Sequence, residues 1–157
     1  MSRYALIAAM VFPNMGGWVG SVLVSRNISK FRMPKWRPPN WVFGMIWTGL
    51  YTSMGYASYL VWRDGGGKAE YPLMLYSAQL ALNWVFSPLF FEMRRMGTAM
   101  IDLGVLYCAV VANAISFYQI NSTAGLLMTP YIAWLTFSTP MYYIIWKTNK
   151  DEDDKIK

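Results

Sequence analysis

The chain contains no histidine. That removes the commonest acid–base side chain near neutral pH and the commonest metal ligand. It has a single cysteine, Cys108, which excludes an intrachain disulfide and any cysteine metal cluster. Within an apolar run this thiol reads as a small packed hydrophobe. Charge is scarce as well. Only 14% of residues are charged, against ~25% in a soluble domain. The net charge is +6, but the basic residues fall between the apolar runs, and no one element carries a basic face, which argues against nucleic-acid binding. No nucleophile–base pair and no metal-ligand set is visible, so we expect no catalytic triad, no metal and no required cofactor.

What is present is apolar and aromatic. Hydrophobic residues make up 55% of the chain and aromatics 17%, with eight Trp and eleven Tyr. Five apolar runs stand out: residues 4–25, 41–62, 71–91, 97–119 and 124–146. The run from Trp41 to Trp62 holds 22 residues without a charge. At ~1.5 Å per residue it spans roughly 33 Å as helix, enough to cross a hydrocarbon core of ~30 Å. Backbone in lipid must satisfy its own hydrogen bonds, and runs of this length are too long for barrel strands. The predicted fold is an all-α membrane protein, one domain, built as a bundle of five transmembrane helices and ending in a charged, disordered tail at 147–157. The first run reads as a span rather than a signal peptide, because apolar sequence continues past Pro13 without an A-x-A-like site.

The second run has the clearest start. Pro38 and Pro39 donate no backbone hydrogen bond and disfavour helix before them, so helix begins after Pro39 with Asn40 as N-cap. Trp36 and Trp41 flank that start, as rings do at a membrane–water boundary. Of the 14 Lys and Arg, three (Arg3, Arg63, Lys68) fall on the side of the N-terminus and eleven on the other. That bias predicts a cytosolic C-terminus. Gly16 and Gly20 form a GxxxG spacing, read first as close packing within one protomer and second as a dimer face. Asp102 is the one acid well inside a run; an ion pair with Arg95, two turns earlier, is the first reading. Gln79, Asn83 and Asn113 read as interhelical hydrogen bonds. Asn121-Ser122-Thr123 matches the glycosylation pattern, but in so tight a turn it is expected to stay unused. Trp47, Phe86, Trp134 and Phe137 lie deep in their runs. They read either as packing or as the walls of an apolar cavity that would suit flat tetrapyrroles or sterols.

Several strings together carry a resemblance. Trp36-Arg37-Pro38-Pro39-Asn40-Trp41 is followed by Gly44, Trp47, Leu50-Tyr51 and Met54-Gly55-Tyr56. Later come Gln79-Leu80-Ala81-Leu82-Asn83-Trp84, Pro88, Phe90-Phe91, Met96-Gly97, Asp102-Leu103 and Pro130-Tyr131-Ile132-Ala133-Trp134-Leu135. In order and spacing, over nearly the whole chain, these resemble the translocator protein (TspO, peripheral-type benzodiazepine receptor) family, in its animal-like form. The resemblance implies a receptor or translocator that binds tetrapyrroles such as protoporphyrin or haem, benzodiazepine-type molecules and, in animals, cholesterol. It also implies a homodimer, and an outer mitochondrial membrane location with the C-terminus cytosolic. It carries a ligand pocket onto Ser21, Val24, Phe43, Gly44, Ile46, Trp47, Asn83, Phe86, Thr98, Ile101, Val105, Ser138 and Met141, with Trp134 and Phe137 as deep aromatics. Phe86 and Thr98 stand where animal relatives carry Trp, and Ser87 replaces a proline. The family's sterol motif maps onto Tyr143 and Lys147, although the branched residue it requires is absent at the permitted spacing. Some bacterial relatives degrade porphyrin in light with tryptophans matching Trp47 and Trp134. That leaves ligand conversion as the alternative to ligand binding, and a membrane adaptor as a third reading.

Overall fold

The computed structural model describes residues 2–31 and 33–156, with side chains over 3–31 and 33–150. Helix α1 is Ser2–Asn27, followed by a 3-10 turn at Ile28–Lys30. Helix α2, Asn40–Gly65, leads through a 3-10 turn at Gly66–Ala69 into α3, Glu70–Ser87. A π turn at Pro88–Glu92 ends that pass. Then come α4 at Met96–Ile120, the short α5 at Ser122–Leu127 and α6 at Thr129–Ile156. There is no strand among the described residues. Among the described residues, three helical stretches, Arg3–Lys30, Asn40–Glu92 and Met96–Ile120, are long and apolar enough to cross a membrane.

The middle stretch holds 53 residues, roughly 80 Å if it ran straight, well over twice a hydrocarbon core. It does not run straight, because Gly66 adopts φ +54°. That left-handed conformation is easy for glycine and costly for other residues, and it turns the chain back on itself. Helix α2 begins directly after the paired prolines, as expected. Its N-cap, however, is Pro39, whose carbonyl accepts from the N–H groups of Val42 at 3.0 Å and Phe43 at 3.2 Å. Asn40 is therefore the first helical residue rather than the cap.

Two further expectations are corrected. Residues 124–146 are not one helix: the chain breaks at Met128 between α5 and α6. Asn121 caps α5 by accepting from Ala124 N–H at 3.2 Å, and Pro130 restarts helix in the first turn of α6, where its missing N–H costs nothing. Residues 147–156 of the expected disordered tail instead continue α6 to Ile156, and Lys157 lies outside the described residues.

Antiparallel passes bring matching ends together. Gly55 of α2 lies so close to α1 that an added Cβ would stand 2.2 Å from the Ala9 carbonyl oxygen. Further along the same pair, Asn14 Nδ2 donates to Thr52 Oγ1 at 3.3 Å. At one end of the bundle, Asn121 Nδ2 donates to Asp64 Oδ2 at 2.5 Å, and Arg63 pairs with Asp64 at 2.7 Å. At the opposite end, Asn27 Nδ2 donates to Glu92 Oε2 at 2.8 Å, and Phe31 packs on Phe90 and Phe91. The outer faces of the helices are apolar, with Tyr4, Trp18, Trp41 and Ile101 all exposed. The centre holds Met54, Phe90, Phe117 and Tyr131, all essentially inaccessible.

Candidate functional site

Buried polar side chains are costly in so apolar an interior, so each marks a constraint. Asn113 Nδ2 donates to the Pro72 carbonyl at 3.1 Å, joining α4 to α3. Gln79 Nε2 lies 3.8 Å from Met54 Sδ, joining α3 to α2. Asn83 makes the third such link. It accepts from the Tyr51 hydroxyl at 3.0 Å and donates to the Tyr131 hydroxyl, so one amide ties α2, α3 and α6. Asp102 behaves differently: its Oδ2 is buried without a hydrogen-bond partner, and the expected pair with Arg95 is not formed among the described residues.

Beside the Asn83 link lies a partly open cavity of about 100 Å³. Helix α1 contributes Gly16, Gly17, Gly20, Ser21, Val24 and Ser25 to its wall. Phe43, Gly44, Trp47 and Tyr51 come from α2, with Arg37 and Asn40 at the mouth. Asn83, Trp84, Phe86 and Ser87 come from α3, and Phe91 from the π turn. Leu103 and Leu106 of α4 and Leu135, Ser138 and Tyr142 of α6 close it.

An aromatic chain forms one side. Trp47 stacks on Tyr51, with ring centroids 5.4 Å apart, and meets Trp134 edge-on at 6.3 Å. Trp134 also meets Phe43 edge-on at 5.2 Å and lies 5.4 Å from Phe137. Trp36 of the connecting segment reaches Phe137 at 5.7 Å. Such edge-on and offset contacts each add about 0.5–1.5 kcal/mol beyond area burial, so this wall is well fixed. At the mouth, the Arg37 guanidinium sits 4.6 Å over the Phe43 ring and donates to the Pro38 carbonyl at 3.2 Å. Burial lowers the pKa of that guanidinium from its ordinary value.

Of the residues carried over from the resemblance, Ser21, Val24, Phe43, Gly44, Trp47, Asn83, Phe86 and Ser138 line the cavity. Trp134 and Phe137 form the layer behind Phe43 and Trp47 rather than the wall itself. Ile46 is half-buried against the core, and Met141 is fully buried beside Tyr142. Thr98, Ile101 and Val105 do not reach the cavity. They share the outward face of α4, where Ile101 is 71% exposed, because α4 turns Ala99, Leu103, Leu106 and Val110 inward. Tyr143 and Lys147 are exposed on α6, with the Tyr143 ring 6.0 Å from Trp146. Sequence reading missed Leu103, Leu106 and Leu135, which look like ordinary core leucines. For the α1 glycines a signal did exist, in the GxxxG spacing.

A second space lies outside. Between α1 and α3 runs a lipid-facing groove of about 390 Å³ lined by Phe12, Met15, Gly16, Val19, Gly20, Leu23, Trp84 and Pro88. Gly16, Gly20 and Trp84 line both the groove and the inner cavity. The GxxxG face is thus used within the protomer. A Cβ at Gly16 would stand 2.1 Å from the Trp84 indole, and one at Gly20 would stand 3.3 Å from Ser87 Oγ.

Comparison with known proteins gives one consistent result. Residues 7–147 match the model of the TspO/MBR family. The chain is 44% identical to the translocator protein of Homo sapiens over 144 residues, 87% of this chain and 85% of that one. It is 44% identical to translocator protein 2 of Mus musculus, covering 78% of each. With the tryptophan-rich sensory protein of Cereibacter sphaeroides it shares 39% identity over 78% of this chain and 75% of the other.

Proposed function

The chain belongs to the TspO/MBR family, and from that premise we propose that it is a five-pass membrane receptor for flat apolar ligands, tetrapyrroles or sterols, held in the cavity beside Trp47. The five passes are α1, α2, α3 with its π turn, α4, and α5 with α6. The apolar outer faces and the alternation of loop ends support that count. The charge bias of three against eleven favours a cytosolic side holding residues 28–39 and the end of α6. An outer mitochondrial membrane and a homodimer accompany the family resemblance.

One observation carries the reading: a rigid aromatic wall (Trp47, Phe43, with Trp134 behind) faces a floor whose polar groups are already satisfied by Asn83. Such a surface offers stacking and dispersion and asks for few hydrogen bonds, the recognition a planar apolar molecule meets. With no histidine in the chain, haem would be held by shape rather than imidazole ligation. The open volume of about 100 Å³ is below the ~300–1,000 Å³ of drug-sized sites, so binding requires the walls to part. Titration of the purified protein with protoporphyrin in detergent, followed by tryptophan fluorescence, tests the reading. Saturable quenching is the expected outcome, and quenching that grows without limit would remove it.

A second reading, light-driven conversion of the porphyrin, draws on the direct contact of Trp47 with Trp134. Illumination of the complex producing a new absorption band supports it; an unchanged spectrum rejects it.

A further inference from the structure

The inner cavity and the outer groove share three lining residues, of which only Trp84 has a large side chain. Trp84 lines both, flanked on both sides by Gly16 and Gly20. Its indole fits against α1 only because Gly16 has no Cβ. The outer face of the same ring is covered by Phe12, with centroids 5.3 Å apart, and Phe12 itself is 54% exposed on the lipid-facing surface. Packing alone holds the ring: Trp84 Nε1 is buried and has no hydrogen-bond partner. Among the described residues, no side-chain hydrogen bond crosses the α1–α3 seam until Asn27 reaches Glu92 at its far end. Every residue along the groove other than Trp84 is apolar or glycine.

We propose that the α1–α3 seam is the lateral entrance of the cavity, with the Trp84 indole as its gate and Phe12 as the outer leaf. An apolar ligand dissolved in the bilayer enters the groove, displaces Trp84 and passes between α1 and α3 without crossing the aqueous mouth at Arg37. The physical case rests on solvent. A planar hydrophobe partitions into lipid, and the groove already faces lipid. The partition costs no hydrogen bond to open, whereas the mouth holds a guanidinium over Phe43. Once the indole swings aside, groove and cavity form one space in the size range of drug-sized sites. This inference rests on the proposed ligand site, because a gate without a site behind it has no function.

The seam offers its own lock. A Cβ built at Gly20 lies 3.7 Å from Ser87 Cβ, close to the ~3.8 Å of a disulfide. The test is Gly20→Cys with Ser87→Cys in a Cys108→Ser background, with protoporphyrin binding followed by stopped-flow fluorescence. The expected result is that oxidation slows association and dissociation together, by about tenfold or more, as for a gated site. Because Gly20 and Ser87 also line the cavity, affinity is compared only between the oxidised and reduced forms of this one variant, where it stays the same, and reductant restores both rates. Unchanged rates in the oxidised protein would overturn the entrance while leaving the site intact. A loss of affinity at an unchanged association rate would also overturn it, by making the seam mere site wall. Failure of the reduced protein, and of the unmodified chain, to bind would remove the site itself and the entrance with it. Phe12→Ala gives an independent check that needs no cross-link and changes a residue that lines the groove but not the cavity. It should speed both rates several-fold at constant affinity, and unchanged rates would count against the gate.

Discussion

The Tyr51 hydroxyl donates to Asn83 Oδ1 at 3.0 Å, and Asn83 in turn donates to the Tyr131 hydroxyl. This short relay joins three helices beside the cavity and leaves no polar atom of the amide facing a ligand unsatisfied. Replacing Asn83 with Leu strands two buried hydroxyls. A loss of about 1–3 kcal/mol is expected, read as a lower unfolding temperature in detergent. Tyr51→Phe strands one buried group, Asn83 Oδ1, rather than two, and should cost less.

Two glycines of α2 make a matched pair. At Gly55 an added Cβ would collide with the Ala9 carbonyl oxygen at 2.2 Å, whereas at Gly44 nothing lies within 4 Å. Gly55→Ala should force α1 from α2 and destabilise by about 1–3 kcal/mol or more. Gly44→Ala should leave thermal stability unchanged. Because Gly44 lines the cavity, its methyl should register in ligand affinity instead.

At the loop end of α2, Arg63 and Asn121 both hydrogen-bond the Asp64 carboxylate and hold its pKa below the ordinary 3.8. A depressed carboxylate pKa stabilises the fold above the unfolded value, and that contribution is lost as pH falls through the folded value. The carboxyl resonance of Asp64 should therefore titrate below 3.8 in the native protein, and Asn121→Ala should bring the midpoint upward. A midpoint at or above 3.8 in the native protein would contradict the contact.

The membrane-crossing segments were readable because their signal is an absence. Uncharged runs bounded by Arg63, Lys68 or Arg94-Arg95 mark helix ends to within a few residues, and Pro38-Pro39 sets the start of α2. The inward face of α4 was not readable, for the same reason. A helix bathed in lipid is apolar all round, so no polar stripe marks its outside and the periodicity that betrays a soluble helix is missing. Leu103 and Ile101 are alike in the sequence, yet one lines the cavity and the other faces outward. Positions borrowed from relatives met the same obstacle at Thr98 and Val105. The break at Met128 was hidden because it lies inside one uncharged run, where no charge marks a helix end.

The central claim is that planar ligands stack in the cavity against Trp47. Its most direct test compares protoporphyrin dissociation constants for Trp47→Phe and Trp41→Phe. Trp41 is 68% exposed and outside the cavity, whereas Trp47 lines it. The account predicts weakening by about tenfold for Trp47→Phe, about 1.4 kcal/mol of lost stacking, with no change for Trp41→Phe. Equal affinities for the two variants and the unmodified chain would contradict it.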